Sequence, residues 1–123
     1  MRTTPAIAAL LAATCATSAA AQDSAPIARG KEVFAHYCAP CHGDGPGDDG
    51  APMLPGTHAL TLKYGGEKPG LLEQRADLPA EIIKAFVRTG VASMPPFRKT
   101  EVTDEDLEAI AAYLADAAKR PTR

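Results

Sequence analysis

Three stretches of the chain repeat their apolar residues at helical spacing, and none alternates long enough to read as a strand. In IARGKEVFAHY, residues 27–37, Ile27, Val33, Phe34 and Tyr37 fall near one face. Gly30 lies one turn before Phe34, where its missing side chain lets a second helix approach. The spacing predicts a helix that runs straight into Cys38. In PAEIIKAFVRT, residues 79–89, Ile82, Ile83, Phe86 and Val87 make one stripe. Pro79 and Glu81 suit a first turn and Gly90 a stop. The last helix has the fullest set of signals. Thr103 can cap it, Asp104, Glu105 and Asp106 meet the positive end of its dipole, and Leu107, Ile110, Ala111 and Leu114 recur on one face beside Tyr113. Lys119, Arg120 and Pro121 fit its end. Between these helices, residues 43–78 are crowded with Gly, Pro and Asp and predict turns, with a short helical turn in LLEQRADL, 71–78. Pro95 and Pro96 make VASMPPFRKT, 91–100, extended or looped. The expected fold is all-α, three main helices joined by long loops.

Residues 1–21 do not belong to that fold. Arg2 is followed by an apolar run from Ile7 to about Ala16, and Ala19-Ala20-Ala21 forms a small-residue cleavage site before Gln22. The segment reads as a secretory signal peptide, too short and too rich in Ala for a good membrane span. The expectation is an exported, periplasmic chain of residues 22–123, with no stable membrane span once the signal is removed. Cys15 is lost with the signal, and Cys38 and Cys41 are the cysteines that remain.

Composition adds a second constraint. Three Phe, three Tyr and no Trp are a modest supply of large core groups for so small a domain. A rigid buried cofactor would supply the missing apolar mass. Charge is unevenly spread. Segment 63–99 holds seven bases against four acids, and segment 100–118 holds six acids and no base. Nothing is basic enough for nucleic acid. The bases of 63–99 could surround a functional edge and select an acidic patch on a protein partner.

The chemistry centres on HYCAPCHGDG, residues 36–45. Three readings compete. A thioredoxin-like dithiol needs a buried strand before the C-x-x-C and further strands after it, and the pattern has none. Zinc needs four ligands, and beyond Cys38, Cys41 and His42 only His36 and His58 are at hand, without finger spacing. C-x-x-C-H is the attachment signal for a c-type haem. Each thiol can add across one vinyl group, and His42 follows directly as the proximal ligand of the iron. Turn-rich 43–78 then has a task, since it can wrap the cofactor. For the sixth ligand, His36, His58, Met53 and Met94 are available. Met94 lies in SMPPF, stiffened by two prolines, and its soft thioether favours Fe(II). Met53 is better placed as a packing residue. Pro52 offers a backbone carbonyl to the second ring N–H of His42. Arg75, Lys63 or Tyr64 could pair with the haem propionates.

With these residues in place the chain resembles a class I cytochrome c along its whole mature length. Gly30, Phe34 and Cys38 repeat the family's four-residue steps. Cys38-Ala39-Pro40-Cys41-His42-Gly43 is its haem motif. Ala51-Pro52-Met53-Leu54 is similar to its G-P-x-L, with Ala51 replacing Gly. Met94-Pro95 is similar to its methionine loop, and Ile110 to Leu114 to its C-terminal helix. The resemblance implies that the first and last helices cross near Gly30 and Tyr113, and that His42 and Met94 are the axial pair of one covalent haem c. Residues 78–114 also resemble the cytochrome subunits of periplasmic flavocytochromes of the p-cresol methylhydroxylase type. The implied function is single-electron transfer from a flavin or quinoprotein dehydrogenase toward the respiratory chain, through a downstream cytochrome or terminal oxidase. The chain itself is not expected to be an enzyme. The alternatives are a permanently bound flavocytochrome subunit and, more remotely, a thiol–disulfide oxidoreductase.

Overall fold

The computed structural model describes residues 19–121. The expected export signal lies outside them except for its last three residues. The described chain is helical, with α1 over Ala19–Val33, a π-helical turn over Phe34–Cys38, and α2 over Ala39–His42. There follow α3 over Pro55–Tyr64, a 3₁₀ turn over Leu72–Gln74, α4 over Ala80–Thr89 and α5 over Asp104–Ala117. Among the described residues there is no strand, only an isolated bridge between Val91 and Met94. None of their helices is long and apolar enough to cross a membrane.

The core is the crossing of α1 and α5. Leu107, Ile110 and Leu114 of α5, with Val102 just before it, are the largest fully buried side chains. Val33 at the end of α1 and Phe34 at the start of the π turn meet them, and the Phe34 and Tyr113 rings lie 5.5 Å apart. Gly30 is where the two backbones touch. A Cβ there would collide with the carbonyl oxygen of Ala109 and lie 2.9 Å from Tyr113 Cβ. The crossing near Gly30 and Tyr113 is therefore as expected. So is the cap of α5: Thr103 Oγ1 accepts from the Asp106 N–H at 3.0 Å, and the Asp106 carboxylate accepts in return from the Thr103 N–H at 3.2 Å. Burial and the Glu73 carboxylate, to which the Tyr113 hydroxyl donates, push that phenol up to about 12.

Two elements differ from expectation. The first helix starts eight residues before Ile27 and carries Pro26 inside it. The Ala-rich lead favours helix strongly enough to continue past that proline. It also does not stop at Cys38, because the π turn passes it on to α2 through the Ala39 N–H bonded to the Phe34 carbonyl. The second difference is α3, inside a region expected to hold only turns. Pro55 sits in its first turn and Gly65, with φ +55°, closes it. Both are turn residues by composition, but here they punctuate a helix. Ala59, Leu60 and Leu62 do not gather into a stripe, so no periodicity announces the helix.

Candidate haem site

Cys38 ends the π turn, and Cys41 and His42 lie on α2. Both cysteines are free thiols, Cys38 half-buried and Cys41 exposed. Burial, and then the neighbouring Cys41, push the Cys38 thiol up to about 11. A redox dithiol needs the opposite, a thiol acidified by a positive neighbour or a helix N-terminus. The reductase reading therefore lacks its strands, and nothing beside Cys38 favours its thiolate. Zinc fares no better, since no group of three or more His, Cys, Asp or Glu among the described residues could hold a metal ion.

His42 is backed by an element that pattern reading missed. Gly56, in the first turn of α3, lies flat against the imidazole. A Cβ at Gly56 would stand 2.7 Å from His42 Cε1 and 2.8 Å from Nδ1. The turn is pinned by Thr57, which is buried and donates from Oγ1 to the Gly43 carbonyl at 2.9 Å. The dipeptide Pro55-Gly56 was the available signal, but it reads equally well as a turn. His42 Nδ1 is buried and has no hydrogen-bond partner. Burial lowers the pKa of the ring, which holds it in the neutral form that ligates metals. The bond from Nδ1–H to the Pro52 carbonyl is not formed here, and Pro52 is exposed. Met53 is half-buried and accepts a long hydrogen bond at Sδ from Thr61 Oγ1, 3.6 Å away. His58 lies half-buried on α3, and His36 is exposed with its ring edge-on to Tyr37.

Met94 is half-buried and packs against the core cluster, as do Tyr37, Cys38 and Ala39. Its loop is tightly held. Val91 and Met94 exchange both backbone bonds, at 2.9 and 3.0 Å, and the Phe97 N–H bonds the Val87 carbonyl at 2.8 Å. Gly90 opens the loop at φ +68°, and a Cβ there would stand 2.7 Å from the Met94 carbonyl oxygen. Arg88 locks the far end with bonds to the Phe97 and Val102 carbonyls at 3.0 and 2.8 Å. The Phe97 ring stands edge-on to Tyr37 at 5.9 Å, which ties the methionine loop to the element bearing the cysteines. On the same helix and loop, Ile82, Phe86 and Val91 stay 43%, 45% and 51% exposed. That is apolar surface the chain itself leaves uncovered.

The polar surroundings are less free than the sequence suggests. Arg75 is buried, forks onto Asp77 with two bonds of 2.8 Å, and lies 4.7 Å from the centre of the Tyr64 ring. Lys68 reaches the same carboxylate at 2.6 Å. Lys84, Arg88 and Lys99 converge on Asp104 at 3.0, 2.7 and 3.2 Å, and Arg98 pairs with Glu101. Six of the seven bases of segment 63–99 thus pair with three carboxylates, Asp77, Asp104 and Glu101, so part of the segment's positive charge stays unmatched.

These observations fit a haem. Two unpaired thiols and an imidazole stand on one helical element, the imidazole has an orphaned buried nitrogen, and apolar side chains beside the methionine loop lack cover. Comparison with known proteins agrees. Residues 25–114 match the family described as cytochrome C oxidase, cbb3-type, subunit III. The chain is also 32% identical over 97 residues to cytochrome c6 of Synechocystis sp., covering 79% of this chain and 70% of that protein. No solved structure matches the chain. Members of the matched family carry covalently bound haem c, and with a single C-x-x-C-H the chain belongs among the monohaem c-type cytochromes, electron-transfer proteins rather than enzymes.

Proposed function

We propose that this cytochrome is a periplasmic carrier that takes single electrons from a flavin or quinoprotein dehydrogenase and passes them toward the respiratory chain. The haem, when bound, supplies the Fe(III)/Fe(II) couple. In this reading Cys38 and Cys41 tether it, His42 and Met94 provide the axial nitrogen and sulfur, and Gly56 and Thr57 hold the imidazole in place. The observation that carries the reading is the half-buried His42 ring, whose buried Nδ1 has no partner and which Gly56 of α3 backs closely. Pro52 remains the proposed acceptor for Nδ1–H, through a small adjustment of its loop on haem attachment.

One observation favours a second reading, a permanent flavocytochrome subunit. Exposed Ile82, Phe86 and Val91 would suit a lasting protein interface as well as a cofactor. The test is purification of the native protein from periplasm. The mass of the denatured chain and the haem and flavin absorbance across a sizing column are then read together. One covalent haem on a chain that elutes alone supports the carrier. Haem eluting with flavin and a larger chain replaces it with the subunit. A chain without added haem mass removes the covalent assignment of Cys38 and Cys41.

A further inference from the structure

The charges of residues 32–62 are all negative. Between Lys31 and Lys63 the chain has no Lys or Arg, but it has Glu32, Asp44, Asp48 and Asp49. Asp44 and Asp48 are exposed and make no ion pair among the described residues. Asp49 is also exposed and only accepts the Ala51 N–H, at 3.0 Å. This contrasts with Asp77, Asp104, Asp106 and Asp116, all of which are paired with bases. Beside these free carboxylates runs a mostly apolar groove of about 470 Å³, lined by Pro40, Met53, Leu54, Leu62 and His58 and rimmed by Asp48 and Asp49. Leu62 is 71% exposed, more than any other large apolar side chain described. The loop that carries the rim is prearranged. Gly47 N–H bonds the Ala51 carbonyl at 2.9 Å, and Gly50 N–H bonds the Gly47 carbonyl at 3.1 Å.

We propose that this face, from Pro40 across residues 44–55 to Leu62, docks a redox partner protein that presents an apolar side chain ringed by Lys or Arg. The proposal rests on the haem reading, because Pro40, which lines the groove, lies between the two cysteines that would tether the haem. The occupant follows from complementarity. An apolar groove fixes position, and unpaired carboxylates attract bases and repel an acidic protein. The partner's sign is thus the reverse of the one the basic segment 63–99 suggested. A rim already hydrogen-bonded in place loses little freedom on binding.

The test uses the haem-loaded full chain, isotope-labelled, with a heptapeptide of six lysines around one leucine as probe. Amide shifts should concentrate in residues 40–62, and affinity should fall about tenfold as salt rises from 0.01 to 0.15 M, where the screening length shortens from about 30 to about 8 Å. The triple variant Asp44→Asn, Asp48→Asn, Asp49→Asn should lose most of the binding, since Asn keeps the acceptor for Ala51 but not the charge. Replacing the peptide's leucine with serine, or Leu62→Ser in the protein, should weaken binding several-fold. Shifts centred on Glu105 and Glu108 of α5, or binding that the triple variant retains, overturn the proposal. So does concentration-dependent broadening of the same amides without peptide, which would mean that a second copy of the chain occupies the groove. Failure of the haem reading is seen separately, in the mass of the denatured chain.

Discussion

The two sides of this cytochrome are closed by different means. Where α1 crosses α5, the chain completes its own core: Leu107, Ile110 and Leu114 are fully buried, Phe34 meets Tyr113, and Gly30 lets the backbones touch. Around α3, α4 and the methionine loop, apolar Leu62, Ile82, Phe86 and Val91 face outward while polar Thr57 and Arg75 are buried, although Ile83 and Val87 of α4 join the core. One side is finished by its own side chains, and the other is shaped to be finished by something bound. Stability should therefore reside mainly in the crossing, and redox behaviour mainly across from it. Substitutions on the two sides can be used to break that division.

The largest effect is expected at Gly30. In an open helical position Gly30→Ala would stabilise by about 1 kcal/mol through helix propensity alone. Here the new Cβ meets a backbone carbonyl, which no rotamer change can relieve. Gly30→Ala should instead destabilise by about 3 kcal/mol, the upper range for overpacking. Denaturant unfolding reads the sign directly, and a stabilised variant would mean that the helices do not touch there.

Arg88 comes next, because it spans both sides. Its guanidinium binds the Phe97 carbonyl of the methionine loop, the Val102 carbonyl and the Asp104 carboxylate. Arg88→Leu should cost about 2 kcal/mol, within the range for bonds to a charged group. It should also loosen the loop, so that exogenous imidazole displaces the sixth ligand more readily. Arg88→Lys keeps the charge and loses the fork, and should fall between the two. Unfolding that weakens with no change in imidazole binding would show that the loop is held by other contacts.

Met94→Ala tests the methionine loop. Because Met94 packs against the core cluster, unfolding should weaken by about 1 kcal/mol, below the range for a fully buried Met, and the reduction potential should fall on the order of 0.1 V, inside the roughly 0.8 V that axial ligands command. An unchanged potential and spectrum would transfer the sixth position to His36, His58 or Met53.

The same division explains what could be read from the sequence. The crossing was legible because it depends on short-range signals: Gly30 one turn from Phe34, the stripe Leu107, Ile110 and Leu114, and the cap at Thr103 with acids behind it. The motif residues Cys38, Cys41 and His42 were legible because covalent attachment dictates their spacing. The support for His42 was not. The helix α3 does not bury a stripe of its own but lies along a loop through Thr57 and Gly56, and neither hydrogen bond nor close approach leaves a periodic trace. Charge pairing was not legible for a related reason. Lys84, Arg88 and Lys99 are 5 to 20 residues from Asp104 in sequence, so a count by segment separates groups that meet in space.

The smallest effect expected is a dependence on pH, and it belongs to the start of α5. Arg88, Lys84 and Lys99 hold the Asp104 carboxyl well below the usual carboxylate range. For Asp106, burial alone would raise the value, but bonds from the Thr103 backbone and Arg29 outweigh it and leave the carboxyl lowered. A carboxyl lowered on folding contributes stability above its unfolded value, about 3.9 for Asp, and loses it as pH falls through the folded value. Stability measured in denaturant should thus be level with respect to these groups from pH 7 to about 5 and decline below about 4. Asp104→Asn should flatten that acid limb, because Asn accepts from Arg88 at every pH and has no proton to take up. A limb of undiminished slope in the variant would assign the acid sensitivity to other carboxylates and detach it from the start of α5. A variant whose acid limb flattens while its reduction potential stays unchanged would locate the pH response at the start of α5, apart from the axial ligands.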